Sequence, residues 1–306
     1  MFGTAVRRRV LCAGAVVFAA VVLLLFGTGE TRVLTTGDHM PGEAWTLWMP
    51  VALGMLLIRW IPPWVPEREM AERLHATMKG RAPGPETVVL VACLAGFLVS
   101  KLLLDPVFGA MDPGLAPLSY HTSKFLFLLF VPLMLIGASG VMRNSQDFTL
   151  PKLAVRVFEP WRWAGLVPVV GYLVFVLIPW AEHPPEMGSV PEHYDVLAAL
   201  AIGYIATALL EVVFFQGFLQ TRLEVLFGRW PAIVLVALVY ALTSLVGATF
   251  PSGVLNAVAS AIAVQGAAAL LYGYLWSRYR NIWLNFLLQF GVVTLIVLPV
   301  AAVLWS

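Results

Sequence analysis

A single carboxylate, Glu211, stands in an otherwise apolar or neutral stretch near the start of LLEVVFFQGFLQTR, Leu209 to Arg222. A charge at bilayer depth costs at least about 2.5–3.5 kcal/mol on insertion scales, so an acid kept there marks either a site or a buried polar bond. Ionised, Glu211 is a candidate general base. Protonated, it is a hydrogen-bonding group for a neighbouring helix, because burial favours the neutral carboxyl. No other acid falls in the middle of an apolar segment. The remaining polar residues of the C-terminal segments are Gln216, Thr243, Ser244, Asn256, Ser260, Gln265, Asn285, Gln289 and Thr294. Such residues commonly bond between helices in a membrane. Two of them could also assist a base: a hydroxyl at Ser244 can orient a water, and an amide at Gln289 can donate to a developing oxyanion.

Other chemistries find little support. His39, His75, His121, His183 and His193 all lie outside the middle of the apolar segments. His183 and His193 share one loop but lack a spaced third ligand, so no metal centre is expected. Cys12 and Cys93 sit in apolar stretches and suit small core residues. No phosphate-binding, dinucleotide or Gly-x-Ser-x-Gly motif occurs, so no cofactor is expected.

The elements that must hold Glu211 are membrane helices. The 306-residue chain is 60% hydrophobic and 12% charged, against about 25% charged for an ordinary soluble domain. Nine segments approach the ~20 apolar residues of a spanning helix: 10–27, 44–62, 87–104, 125–142, 163–181, 196–216, 231–249, 254–276 and 282–304. With the N-terminus in the cytoplasm, nine spans put every Lys and Arg except Arg32, Lys101 and Lys124 at cytoplasmic ends. The expected fold is therefore an all-α polytopic transmembrane bundle of about nine spans, N-terminus cytoplasmic and C-terminus outside. Arg7–Arg9 precede the first segment like the start of a signal peptide, but its apolar stretch is long and no cleavage pattern follows Phe26, so a retained helix is expected. Lys101 lies four residues before Asp105 and pairs or snorkels without needing a function. Met70, Leu74 and Met78 recur at helical spacing among charges, predicting a short interfacial helix within Pro66–Gly84. The polar, Pro-rich loop Ala181–Asp195 predicts a boundary between a five-helix region, 1–190, and a four-helix domain, 195–306.

EVVFFQGFLQTRL, Glu211 to Leu223, resembles the first motif of the CPBP family, which includes the type II CAAX prenyl endopeptidases and bacteriocin-immunity relatives. YALTS, Tyr240 to Ser244, falls where that family has its second motif, and Gly273–Val293 is similar in layout to its third. The resemblance covers about residues 195–300. It implies an intramembrane endopeptidase in which the first Glu and a motif-two His activate water, while a His and an Asn stabilise the oxyanion. This chain departs at each of those places except Glu211: Val212 replaces the second Glu, Gln216 the Arg, Ser244 the motif-two His, and Gln289 and Val293 the His and Asn.

Glu211, Ser244 and Gln289 are thus the candidate catalytic set, expected to point into one cavity opening towards the cytoplasmic half. Losing one oxyanion donor typically costs about 10²–10³ in rate and losing general-base help about 10²–10⁴. Three readings follow. The first is a catalytically impaired relative that binds, processes or sorts membrane-associated proteins. The second is an active protease with a divergent site based on Glu211. The third is a transporter using Glu211, which would call for discontinuous helices and a second intramembrane charge. The expected partners are the lipid bilayer and a membrane-anchored protein, a peptide substrate or a partner protease, with no nucleic acid. The expected location is a bacterial inner (plasma) membrane.

Overall fold

The computed structural model describes residues 3–29, 32–34, 41–111, 116–138, 157, 159–182, 203, 205–246 and 253–292. Helix α1 (Thr4–Thr28) is followed by a short antiparallel ribbon, β1 (Arg32–Leu34) with β2 (Pro41–Glu43), in the register Arg32 to Glu43. That ribbon is the one departure from an all-helical chain among the described residues. Helices α2 (Ala44–Trp60), α3 (Glu67–Thr77) and α4 (Pro83–Met111) come next. A composite rod follows: α5 (Ala116–Phe125), a π-helical segment Leu126–Phe130, and α6 (Val131–Ala138). A 3₁₀ turn, Pro160–Trp163, leads into α7 (Leu166–Glu182). The second composite rod is α8 (205–211), a π segment Val212–Gln220, and α9 (Thr221–Phe227). Then come α10 (Arg229–Thr243) and a third composite, α11 (Val254–Ala261), π segment Ile262–Gly266 and α12 (Ala267–Tyr279). The last described helix is α13 (Ile282–Val292).

Among the described residues four stretches are long and apolar enough to cross a membrane: Thr4–Thr28, Pro83–Ala110, Ser119–Ile136 and Val254–Tyr279. At ~1.5 Å per residue the 25 residues of α1 reach about 37 Å, more than the ~30 Å hydrocarbon core. Shorter apolar helices at Leu47–Trp60, Pro160–Val176, Arg229–Thr243 and Ile282–Val292 match further expected segments. The outward apolar faces agree: Leu23, Val88, Leu102, Leu103 and Leu255 are more than 60% exposed. A chain with such faces belongs in lipid. Most of the Ala181–Asp195 loop and the chain beyond residue 292 lie outside the described residues.

Helices from both sides of the expected domain boundary share their cores. Val51 and Ile58 of α2 and Val169 and Tyr172 of α7 pack with Ile233, Leu271, Leu275, Leu284 and Leu288. Val21 and Leu25 of α1 pack with Ala241, Ala259 and Ile262. Close approach depends on small residues, as it does between membrane helices generally. A Cβ on Gly14 of α1 would lie 2.1 Å from Val234 Cγ1 on α10, and one on Gly96 of α4 would lie 2.4 Å from Phe127.

Charged side chains gather at the end of the bundle where α9 meets α10. Arg222, 1% exposed, donates to Glu86 of α4 at 2.6 Å and to Phe218 O at 3.0 Å. Arg280, in the left-handed region at φ 49°, pairs with Glu224 of α9. Gln220 Nε2 donates to Glu224 and to Gly273 O, both at 2.8 Å. Arg162 donates to the carbonyls of Tyr279 and Arg280, which end α12. The predicted interfacial helix is α3. It docks on this end through Glu67, which pairs with Arg229 at 3.0 Å and with Arg278, and through Arg73, which pairs with Glu159 at 2.8 Å.

Candidate functional site

Glu211 is the last residue of α8, at the step into the nine-residue π segment Val212–Gln220. The segment is almost wholly buried, including Phe214, Phe215 and Phe218. A π turn leaves its carbonyls poorly placed for ordinary helical bonds, and Thr221 Oγ1 takes up one of them, donating to Gln216 O at 3.1 Å.

Glu211 is not alone. The ammonium of Lys124, from the last turn of α5, bonds to its Oε1, and the side chains are 7% (Lys124) and 16% (Glu211) exposed. The Tyr240 hydroxyl, from α10, donates to Oε2 at 2.8 Å. Lys124 Nζ also lies 4.4 Å from the centre of the Tyr120 ring. The Tyr240 ring is held edge-on by Phe215 at 5.0 Å and by Tyr272 at 6.3 Å. A cavity of about 150 Å³ opens here, lined by Phe97, Tyr120, Lys124, Leu128, Glu211, Phe215, Tyr240, Thr243, Ser244 and Gln265.

All three π segments reach this cavity. Leu128 comes from the first, Phe215 from the second and Gln265 from the third. Single π turns inside α-helices occur often at functional sites. The third segment is braced from outside, where Trp48 Nε1 donates to Ala263 O at 2.8 Å.

Of the three candidate residues, Glu211 and Ser244 share the cavity and Gln289 does not line it. Ser244 follows α10, and its hydroxyl proton goes to Ala241 O at 2.7 Å. Gln289 is buried on α13, and neither atom of its amide has a hydrogen-bond partner among the described residues. Gln216 and Asn285 share that condition, at 0% exposure each. The cavity lies at the end of α10 opposite Arg229. Ser244 ends α10 at the pole away from Arg229 and the charged cluster, which the charge asymmetry assigns to the cytoplasm. The reason is that Glu211 sits near the start of its rod, so its neighbours are the first turns of the α5 rod and the last turn of α10.

Lys124, Tyr240 and Tyr120 were not singled out by the sequence. Lys124 reads as a boundary lysine on the far side, yet its side chain is buried and paired with Glu211. One signal pointed to it: a lone buried acid calls for a cation, and Lys124 stands directly before the apolar run FLFLLF. In the structure the Glu211 carboxyl has a cationic partner in contact. Among the described residues no group of three or more His, Cys, Asp or Glu side chains could hold a metal ion.

The helices that build this cavity fall largely within one stretch that other proteins share. Residues 193–295 match the family described as Type II CAAX prenyl endopeptidase Rce1-like. The match takes in Glu211, Tyr240, Ser244, Gln265 and Gln289, while Phe97, Tyr120, Lys124 and Leu128 come from outside it. The Rce1-like segment therefore completes its cavity with α4 and the α5 rod, which lie before it in the chain. No curated protein and no solved structure matches the chain.

Proposed function

We propose that the chain is a non-catalytic relative of the CAAX prenyl endopeptidases. It would span the inner (plasma) membrane of a bacterium nine times and bind a membrane-anchored protein or peptide without cleaving it. The observation that carries this reading is the state of Glu211: one carboxylate oxygen is held by Lys124 and the other by Tyr240. A base needs a free lone pair aimed at a water and a partner that shares the proton. Here both carboxylate oxygens already accept hydrogen bonds, one of them from a cation. Ser244 cannot take a proton at neutral pH, and the Gln289 amide lies off the cavity.

Purified protein in lipid, given a farnesylated peptide ending in a CAAX sequence, should release no tripeptide. Lys124→Met frees Glu211 of its cation and should still release none, because the missing oxyanion donors are not restored. Cleavage that Glu211→Gln stops, at unchanged protein abundance, would defeat the reading in favour of an active protease with a divergent site.

A second reading, transport through Glu211, is supported by two observations. Lys124 is a charge paired with Glu211, and the π segments interrupt three helices beside it.

A further inference from the structure

The groups around the cavity are unequal in kind. The Thr243 and Ser244 hydroxyl protons go to Tyr240 O and Ala241 O, both at 2.7 Å, which leaves each oxygen its lone pairs. Tyr240 gives its proton to Glu211 and keeps an acceptor oxygen. Phe97, Tyr120, Phe215 and Tyr240 add four aromatic rings to the wall. A carboxylate, hydroxyl oxygens and ring faces together complement a group with several N–H donors and a positive charge. The ammonium of Lys124 is such a group. It sits against Glu211 and over Tyr120.

We propose that this cavity is a binding site for small primary alkylammonium ions, with the Lys124 ammonium as its built-in occupant and competitor. Size points the same way. The free space of about 150 Å³ exists with Lys124 in place. At ~30 Å³ per water it holds about five waters or an amine of a few carbons. Ligand pockets for larger molecules run to ~300–1,000 Å³. Lys124 is suited to exchange, since its charge rides on a flexible four-carbon stem. That stem springs from the last α-helical turn before the π segment Leu126–Phe130. Every lining group except Lys124 stays as the structure shows it. The guest bonds to Glu211, and Lys124 gives up that bond. The inference does not depend on whether the chain cleaves peptides.

The test uses the whole protein in detergent or nanodiscs, with propylammonium chloride as probe and tetramethylammonium chloride at equal ionic strength as comparison. Radiolabelled propylammonium should bind the unaltered protein in equilibrium dialysis. The double variant Lys124→Met/Glu211→Gln, which removes both charges from the cavity, should bind it at least about tenfold more weakly, as expected for losing a charged hydrogen bond. Tetramethylammonium, which has no N–H, should not displace it. In Lys124→Ala, which vacates the site, propylammonium should raise the melting temperature more than in the unaltered protein. If Lys124→Ala does not fold, dialysis on the other two proteins decides. Equal binding by the double variant, displacement by tetramethylammonium, or no binding by the unaltered protein overturns the proposal.

Discussion

At Glu211 and Lys124 the decisive quantity is the cost of a charge left without its partner. Removing one member of a buried pair typically costs ~3–5 kcal/mol, whereas replacing both with neutral residues is often nearly free. The orphan can escape by neutralising itself, which caps the loss. From ordinary pKa values of ~10.4 for Lys and ~4.3 for Glu, that cap at pH 7 is about 5 kcal/mol for an orphaned Lys124 and about 4 kcal/mol for an orphaned Glu211. Glu211→Gln should therefore destabilise more than Lys124→Met, and the double variant should recover most of both losses. A double-mutant cycle of melting temperatures in one detergent checks this. Additive losses would mean that the two charges do not interact. At this scale the sequence was half legible. Glu211 stands out because nothing near it in the chain is charged. Lys124 does not, because a lysine at the edge of an apolar run is ordinary, and its partner is 87 residues away.

Among the elements, α3 shows how a charged surface helix is held to an apolar bundle. Its periodicity announced it, but its docking partners are scattered over Glu159, Arg229 and Arg278, which no local pattern connects. Partial burial pushes the Glu67 carboxyl up. The Arg229 and then the Arg278 guanidinium outweigh that and hold it below the ordinary carboxyl value. A carboxyl with a lowered folded pKa stabilises fully above its unfolded pKa, and the contribution fades as pH falls through the folded value. The side chain is 64% exposed, so solvent screens the pair and the effect is local. A spin label at Arg68→Cys, in a Cys12→Ser background, should be immobile near pH 6 and loosen towards about pH 3. Glu67→Gln is the control, and it should be loose throughout. A label equally immobile in Glu67→Gln would show that Glu67 does not dock the helix. The π segments were not legible at all. VVFFQGFLQ reads as ordinary helix, and the wider turn follows from packing and from the polar groups that meet its freed carbonyls.

For the whole molecule, hydropathy marks the rods and charge marks their direction, but neither says which rods touch. The rods that meet bring the cavity to the pole opposite the Arg-rich end. The arrangement makes orientation a functional matter. If the Arg-rich end faces the cytoplasm, the Glu211 cavity lies in the outer half of the membrane, away from any cytoplasmic prenylated peptide. Thr28, at the end of α1, and Lys79, between α3 and α4, are exposed and mark the two poles. In a Cys12→Ser background, a membrane-impermeant maleimide added to intact cells should label Thr28→Cys and leave Lys79→Cys untouched until the membrane is opened. The excess of Lys and Arg at one pole drives this expectation, since basic loops are retained in the cytoplasm. The reverse pattern would invert the molecule. It would turn the cavity towards the cytoplasm and restore a route for a cytoplasmic substrate to Glu211.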